Sequence, residues 1–329
     1  MRALVIRQPG QSEVQAIPRP EPGPGEVLVK VAACGICGTD VHIFRGEYMG
    51  DYPITPGHEF SGEVVEVGGG VRRIAVGDRV AVEPNIACGN CYNCLNNRQN
   101  FCLNWQAIGV TRPGGMAEYV VAPEEAVFDI STLSYEEAAF VEPLSCVVHG
   151  IERAQIRLGD RIAILGAGPI GLLLLQVALR RGTVDVTMLE RQQARGELAK
   201  ALGAGRWVRD LDELPEGVYD VVIDATGAVP VMARTLSLAR KGGTILLFGV
   251  PPRGAELELD AFTIFEKGLT LRSSYTSRRN SYQAIALLQS GHVQVADLVS
   301  HRLPLERFEE GVELIEQGLE HVAKVLMVP

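Results

Sequence analysis

One stretch constrains this chain more than any other: RIAILGAGPIGLLLLQVALRRGTVDVTMLE, residues 161–190. It reads as strand, glycine turn, helix, strand. Arg161–Leu165 is apolar and β-capable, and Gly166, Gly168 and Gly171 form G-x-G-x-x-G. Pro169–Arg181 is a helix-length run stopped by Gly182, and Val184–Leu189 is a second strand ending at Glu190. In such a turn the first glycine allows the tight bend, the second lets backbone approach a pyrophosphate, and the third lets helix pack on strand. Phosphates of a dinucleotide then face free N–H groups at the helix N-terminus. Glu190 lies 19 residues past Gly171, where an acid can hold a ribose 2′-OH. A membrane span is the competing reading, because Ile162–Leu179 is 18 residues with Gln176 as its only hydrogen-bonding side chain. Four residues, Gly166, Gly168, Pro169 and Gly171, interrupt its first half, so a buried strand and a core-facing helix explain it better.

A chain of 329 residues is too long for one ordinary core, and two domains are expected. Net charge of −9 and a pI near 5.3 argue against a nucleic-acid partner. MRALVIRQPG, with four apolar residues between two arginines, is too short for a signal-peptide core. The expectation is a cytoplasmic protein with no membrane partner, whose seven cysteines are reduced and serve as metal ligands more than as disulfides.

Before the glycine turn the chain reads as short strands: Ala3–Arg7, Val27–Ala33, Gly62–Val67 and Asp78–Glu83, with Pro9–Glu26 as turns and extended chain. These suggest an all-β, barrel-like core. Within it stands C-G-I-C-G-T-D-V-H at 34–42, carrying Cys37, Thr39, Asp40 and His42. His58 and Glu59 follow in G-H-E, and Glu142 in V-E-P-L. A thiolate, an imidazole and carboxylates suit Zn²⁺. Alternatively Cys34 and Cys37 form a redox C-x-x-C, although no thioredoxin-like βαβ surrounds them. Cys88, Cys91, Cys94 and Cys102 fall as C-x2-C-x2-C-x7-C in one polar loop. Four thiolates so close can wrap one tetrahedral Zn²⁺ with no open position, a structural site. Two disulfides or an iron–sulfur cluster are the alternatives. Tyr135–Ala139 opens a helical segment leading to Glu142, and Cys146 reads as a buried structural cysteine.

After Glu190 come a helix at Gln192–Leu202, strands at Arg206–Arg209 and Tyr219–Asp224, and a helix at Pro230–Arg240 closed by Gly242–Gly243. Two further strands, Thr244–Gly249 and Leu269–Arg272, complete six, the pattern of an α/β, doubly wound parallel sheet. Its ligand belongs at the carboxyl ends of the strands: Gly166–Gly171 with Pro169 and Ile170, Glu190, Thr226, Phe248–Val250 including Gly249, and Ser273, Ser274 and Tyr275. The tail shows a helix at Ser281–Ser290, a strand, a helix at Leu305–Gln317 and a strand at Lys324–Val328.

Together, GICGTDVH, PGHEFSGEVVEVG, the four-cysteine loop, VEPLSCVVHG and GAGPIG resemble the zinc-dependent medium-chain dehydrogenase/reductase family over essentially the whole chain. EPL and GHEFSG are most similar to its polyol (sorbitol-type) branch. The resemblance implies a GroES-like catalytic domain at residues 1–143 and 276–329 and a Rossmann NAD-binding domain at 144–275. It implies a catalytic zinc on Cys37, His58 and a carboxylate, Glu59 or Glu142, unranked, with Asp40 orienting His58. It gives Thr39 and His42 a proton relay, the alternative for His42 being an ordinary solvent-facing histidine. It implies a structural zinc on the four-cysteine loop, hence two Zn²⁺ per chain. Glu190 favours NAD over NADP, while Arg191 and Arg195 could bind a 2′-phosphate. The implied reaction is oxidation of a secondary alcohol of a polyol to a ketone. L-threonine 3-dehydrogenase, 2,3-butanediol dehydrogenase or a non-catalytic nucleotide-binding protein are alternatives. Phe44, Tyr48, residues 105–118 and Tyr275–Arg279 are candidates for substrate specificity. A homo-oligomer, tetramer or dimer, is expected from the family alone. One departure is Gly205, where many members carry Asp.

Overall fold

The computed structural model describes residues 1–48, 50–318 and 323–329. Contacts divide it into two compact units, Met1–Ser145 with Ser277–Pro329, and Cys146–Thr276. The sequence expectation places these divisions at 143/144 and 275/276.

The first unit begins with strands β1 (Arg2–Gln8) and β2 (Gln11–Ala16), an antiparallel hairpin turning at Gly10, whose φ of 73° is left-handed. This corrects the expectation that Pro9–Glu26 holds only turns and extended chain. Q-S-E-V-Q-A is too polar to announce a strand, and its pairing with β1 makes it one. Then follow β3 (Glu26–Gly35), helix α1 (Gly38–Arg45), β4 (Glu59–Val67), β5 (Arg79–Val82), β6 (Asn85–Ile86), α2 (Tyr92–Leu95), β7 (Gln106–Ala107), β8 (Tyr119–Pro123), β9 (Val127–Asp129), α3 (Tyr135–Ala138) and the start of α4 (Val141–Ala154), which from Cys146 on belongs to the second unit. Helix α1, one short helix after a β-rich run, carries no sign in the sequence.

The second unit contains β10 (Arg161–Leu165), α5 (Pro169–Arg180), β11 (Asp185–Leu189), α6 (Gln193–Ala201), β12 (Arg206–Val208), β13 (Tyr219–Asp224), α7 (Val229–Leu238), β14 (Ala239–Leu247), α8 (Ala261–Lys267) and β15 (Thr270–Ser273). All six strands are parallel, in the order β12-β11-β10-β13-β14-β15. This is the doubly wound order, which reverses direction between β10 and β13. Leu172, Leu173, Leu174 and Leu175 of α5 are all fully buried, each contributing about 1.5–3 kcal/mol. That burial, with Gly168 capping and Pro169 at the first turn, accounts for the long apolar run. No helix among the described residues is long and apolar enough to cross a membrane. Two expected boundaries are corrected. Helix α7 stops at Leu238, and Ala239 already pairs with Tyr219 before an irregularity leads to Thr244. Cys146 on α4, expected to be buried, is half-buried.

The chain then returns to the first unit as α9 (Ser281–Gln289), β16 (Val299–Pro304), α10 (Phe308–Gln317) and β17 (Lys324–Val328). The expected helix from Leu305 opens instead with a 3₁₀ turn, Leu305–Arg307. Strand β17 pairs antiparallel with the end of β3, Leu326 opposite Gly35 and Met327 opposite Cys34. The sheet runs β16-β17-β3-β4-β5-β9, with β8 also on β3. Its core includes Val29, Phe60, Val80, Ile108, Phe308 and Met327.

Candidate metal centres and dinucleotide site

Strands β3 and β4 are in register at one end, Gly35 opposite Glu59. Just beyond Gly35, Cys37 caps α1, and its N–H donates to Asp40 Oδ2 at 2.8 Å. Fully buried Asp40 also accepts from the N–H of Gly57 at 3.1 Å and lies 3.5 Å from His58 Nδ1. One carboxylate therefore holds the helix start, the loop glycine and the imidazole together. Gly57, at φ 95°, must be glycine, because a Cβ there would lie 2.6 Å from Cys34 Sγ.

The outcome is that one ligand atom each from Cys37, His58 and Glu59 lie within 4.8 Å of one another. Glu142, buried on the first turn of α4, is not in that cluster. Burial acts to lower the His58 pKa, but Asp40 and then Cys37 outweigh it and raise it well above the ordinary imidazole value. A thiol, an imidazole and a carboxylate converging among further buried acids call for a cation, and the donor set suits Zn²⁺. Cys34 stands apart: it is fully buried, its Sγ meets Gly35 O at 3.8 Å, and burial pushes its thiol pKa up, so it is core and not half of a redox pair. Thr39 and His42, three residues apart on one face of α1, are both half-buried, and His42 meets Glu47 Oε2 at 2.7 Å through Nδ1.

The sulfurs of Cys88, Cys91, Cys94 and Cys102 also converge within 4.8 Å. Cys91 and Cys94 are 3.4 Å apart and Cys91 and Cys102 3.9 Å, and all are free thiols. Backbone N–H groups of Cys88 and Asn104 donate to Cys102 Sγ, and that of Leu103 to Cys91 Sγ. The Leu103 N–H is the main cause holding Cys91 down at about 6, while burial pushes Cys94 up to about 12. Four thiols this close cannot all ionise unless a cation is shared between them, and four thiolates on one centre fit a structural Zn²⁺.

In the second unit the three glycines divide their work as the motif requires. Gly166 has φ 103°, and a Cβ there would press on Thr226 at 2.9 Å. A Cβ on Gly168 would meet nothing within 4 Å, leaving that face open. One on Gly171 would lie 1.9 Å from Gly166 O. Glu190 accepts from the N–H of Ala167 at 2.9 Å and of Gln192 at 3.0 Å, so it already braces the turn. Arg195 is half-buried beside it. Around the reversal point, buried Asp224 accepts from Thr226 Oγ1 and N–H and from the Gly227 N–H, and its own carbonyl accepts from Phe248 and Gly249. Sequence reasoning missed Asp224, which only its place at the strand end could have signalled. Val250 is exposed; Ile170, Ser274 and Gly249 are half-buried; Ser273 and Tyr275 are exposed. The free helix N-terminus, the open glycine face and the acid past β11 fit a dinucleotide. Gly205 also finds a reason: its Cβ would lie 2.1 Å from Asp185 Oδ1, so an aspartate there would face an aspartate.

Comparisons with known proteins agree with this geometry. Residues 23–132 match the alcohol dehydrogenase GroES-like domain and residues 169–290 the zinc-binding dehydrogenase domain. The chain is 38% identical to D-altritol 5-dehydrogenase of Agrobacterium fabrum, over 93% of both chains. It is 34% identical to L-threonine 3-dehydrogenase of Rhizobium johnstonii, over 99% of this chain and 98% of the relative. A Sinorhizobium meliloti 1021 protein described as a zinc-binding dehydrogenase, solved with NADP, superposes with a TM-score of 0.94 at 37% identity, covering 100% and 99% of the two chains. An Escherichia coli CFT073 alcohol dehydrogenase solved with NADH gives 0.93 at 30% identity, with the same coverage. The chain belongs to the zinc-dependent medium-chain dehydrogenase/reductase family, on its polyol branch.

Proposed function

We propose that this dehydrogenase oxidises a secondary alcohol of a polyol or sugar alcohol to a ketone, with NAD⁺ as hydride acceptor and two Zn²⁺ per chain. The observation that carries the reading is the convergence of half-buried Cys37 with buried His58 and Glu59 around Asp40, in a chain 38% identical to a polyol dehydrogenase. When bound there, zinc supplies a Lewis acid that makes an alcohol easier to deprotonate, without changing oxidation state. Cys37, His58 and Glu59 would hold it, with Glu142 as the second candidate carboxylate and Asp40 fixing the imidazole ring. Thr39 takes up the alcohol proton and His42, one turn on along α1, delivers it to water, with Glu47 on its Nδ1. Glu190 accepts from the adenosine ribose 2′-OH and repels a 2′-phosphate, which favours NAD although relatives have been solved with either cofactor. Cys88, Cys91, Cys94 and Cys102 hold the second zinc and stabilise their loop. The acidic balance favours small-molecule partners. A cytoplasmic homo-oligomer, dimer or tetramer, is the family expectation.

The likeness to L-threonine 3-dehydrogenase favours a second reading, oxidation of L-threonine. The test is NAD⁺ reduction by zinc-replete protein across altritol, arabinitol, sorbitol, short diols and L-threonine, with NADP⁺ in parallel. Turnover of a polyol with NAD⁺ is expected. A response to L-threonine alone would move the protein to the second reading, and no turnover at all would overturn both.

A further inference from the structure

Lys324 opens the last strand, KVLMV, and nothing in its sequence context marks it as functional. Yet among the described residues it is the one lysine or arginine that is buried, 5% exposed. Its ammonium is ion-paired with Glu59 Oε2 and donates to Ile36 O at 3.1 Å. Pairing of β17 with β3 delivers it there. The fit leaves no slack, since a Cβ on Gly35 would lie 2.3 Å from Glu59 Oε2 and 2.7 Å from Lys324 Cε. The ammonium therefore sits against one of the donors of the metal cluster.

We propose that Lys324 is a positioning residue of the metal centre: a fixed counter-cation that holds one oxygen of Glu59 and weakens the grip of the donor set on its metal. The inference rests on reading Cys37, His58 and Glu59 as metal ligands. Three effects share one sign. A carboxylate already engaged by an ammonium is a poorer donor to a second cation. The ammonium repels a nearby divalent ion. Without metal, Lys324 stabilises buried Glu59, which would otherwise be an uncompensated charge, and whatever stabilises the metal-free protein opposes metal binding. A histidine ligand whose other N–H is accepted by a carboxylate binds more tightly; Lys324 acts in the opposite sense, leaving the zinc exchangeable.

The test uses the full chain loaded with zinc. Zinc release to a chromogenic chelator is followed in the wild type, Lys324→Met and Lys324→Arg, and the visible spectrum is recorded after cobalt replaces zinc at this site. Release from Lys324→Met should slow by about tenfold or more, the size of effect neighbours of metal ligands commonly have. Its cobalt spectrum should change, because Glu59 is freed, while Lys324→Arg stays near wild type. A purely structural role predicts the reverse, faster release from Lys324→Met, and that result or an unchanged rate overturns the proposal. If Lys324→Met does not fold, Glu59→Gln is compared with Glu59→Gln/Lys324→Met. With its partner gone, the ammonium should make the single variant release zinc at least about tenfold faster than the double variant, and equal rates refute it. Wild-type protein holding only the four-cysteine zinc would instead sink the metal-site reading itself, and the inference with it.

Discussion

Gly168 and Gly171 belong to one motif, but the same added methyl group should cost stability at only one of them. In Gly171→Ala the new carbon lies 1.9 Å from Gly166 O. Ordinary contact begins near 3.4 Å, so α5 must retreat from the turn by about 1.5 Å. The obstacle is backbone and cannot rotate aside. Overpacking of this kind costs about 1–3 kcal/mol. In Gly168→Ala the residue keeps φ −67° and ψ 179°, which alanine adopts freely, and its methyl meets nothing within 4 Å. Stability should hold, or rise by about 0.4–1 kcal/mol through the unfolded chain. Cofactor binding should fail in both, by about tenfold or more in Kd, equal to about 1.4 kcal/mol. Gly168→Ala puts a methyl on the open face where the pyrophosphate approaches, and Gly171→Ala displaces the helix N-terminus that receives it. Thermal unfolding of each variant and titration of NADH fluorescence separate the two outcomes. A stable Gly171→Ala would show that the helix–strand contact is not tight. A Gly168→Ala protein binding NADH like the wild type would show that the phosphates do not use this face.

Three further outcomes follow from the same geometry. Cys37→Ser and Cys91→Ser should each lose one zinc by metal analysis, but only Cys91→Ser should unfold at markedly lower temperature, because structural zinc sites contribute folding energy directly, about 10–16 kcal/mol in small peptides; equal stability of the two variants would contradict the division into catalytic and structural sites. Glu83, buried and accepting from Asn85, Ser145, Ser277 and Ser281, clips the returning chain to the first unit, so Glu83→Leu should lower stability by about 2–4 kcal/mol in urea unfolding, and a loss under 1 kcal/mol would show that the serines find other partners. Glu190→Ala should raise the ratio of kcat/KM for NADP⁺ over NAD⁺ by about tenfold or more, and an unchanged ratio would remove Glu190 from cofactor choice.

How much of this was legible depended on whether the signal was local. Arg161–Leu165 and Tyr219–Asp224 match their strands residue for residue, because parallel strands buried on both faces read as apolar runs between glycine turns. The four-cysteine loop was legible because all its donors fall within 15 residues. By contrast, β2 exists through its partner, and α1 is a single short helix. Spacing alone could not bring Cys37, His58 and Glu59 together, since that depends on β3 and β4 pairing Gly35 with Glu59. Lys324 was harder still: its contact with Glu59 spans most of the chain and requires β17 to return beside β3. The rival position of Glu142 could not be ranked from sequence for the same reason.

The buried acids show how the structure separates scaffold from donor. Asp40 and Glu83 spend their oxygens on N–H or O–H groups from separate segments, and Asp224 spends its own on Thr226 and Gly227 just past its strand. A carboxylate so engaged has little left to give a metal, and its removal leaves several buried donors unsatisfied at once. Glu59 is different. It is equally buried, but the partner it meets is a cation. Strand pairing and Gly35 fix where that charge stands, so the negative charge near Cys37 and His58 is set by the closing strand of the first unit and not by the metal ligands alone. The return of the chain to complete this unit is therefore part of the metal centre's chemistry as well as of its stability. A truncation removing β17 should cost metal affinity control along with sheet pairing, whereas the four-cysteine loop, whose ligands all lie between Cys88 and Cys102, should keep its zinc wherever the rest of the unit stays folded.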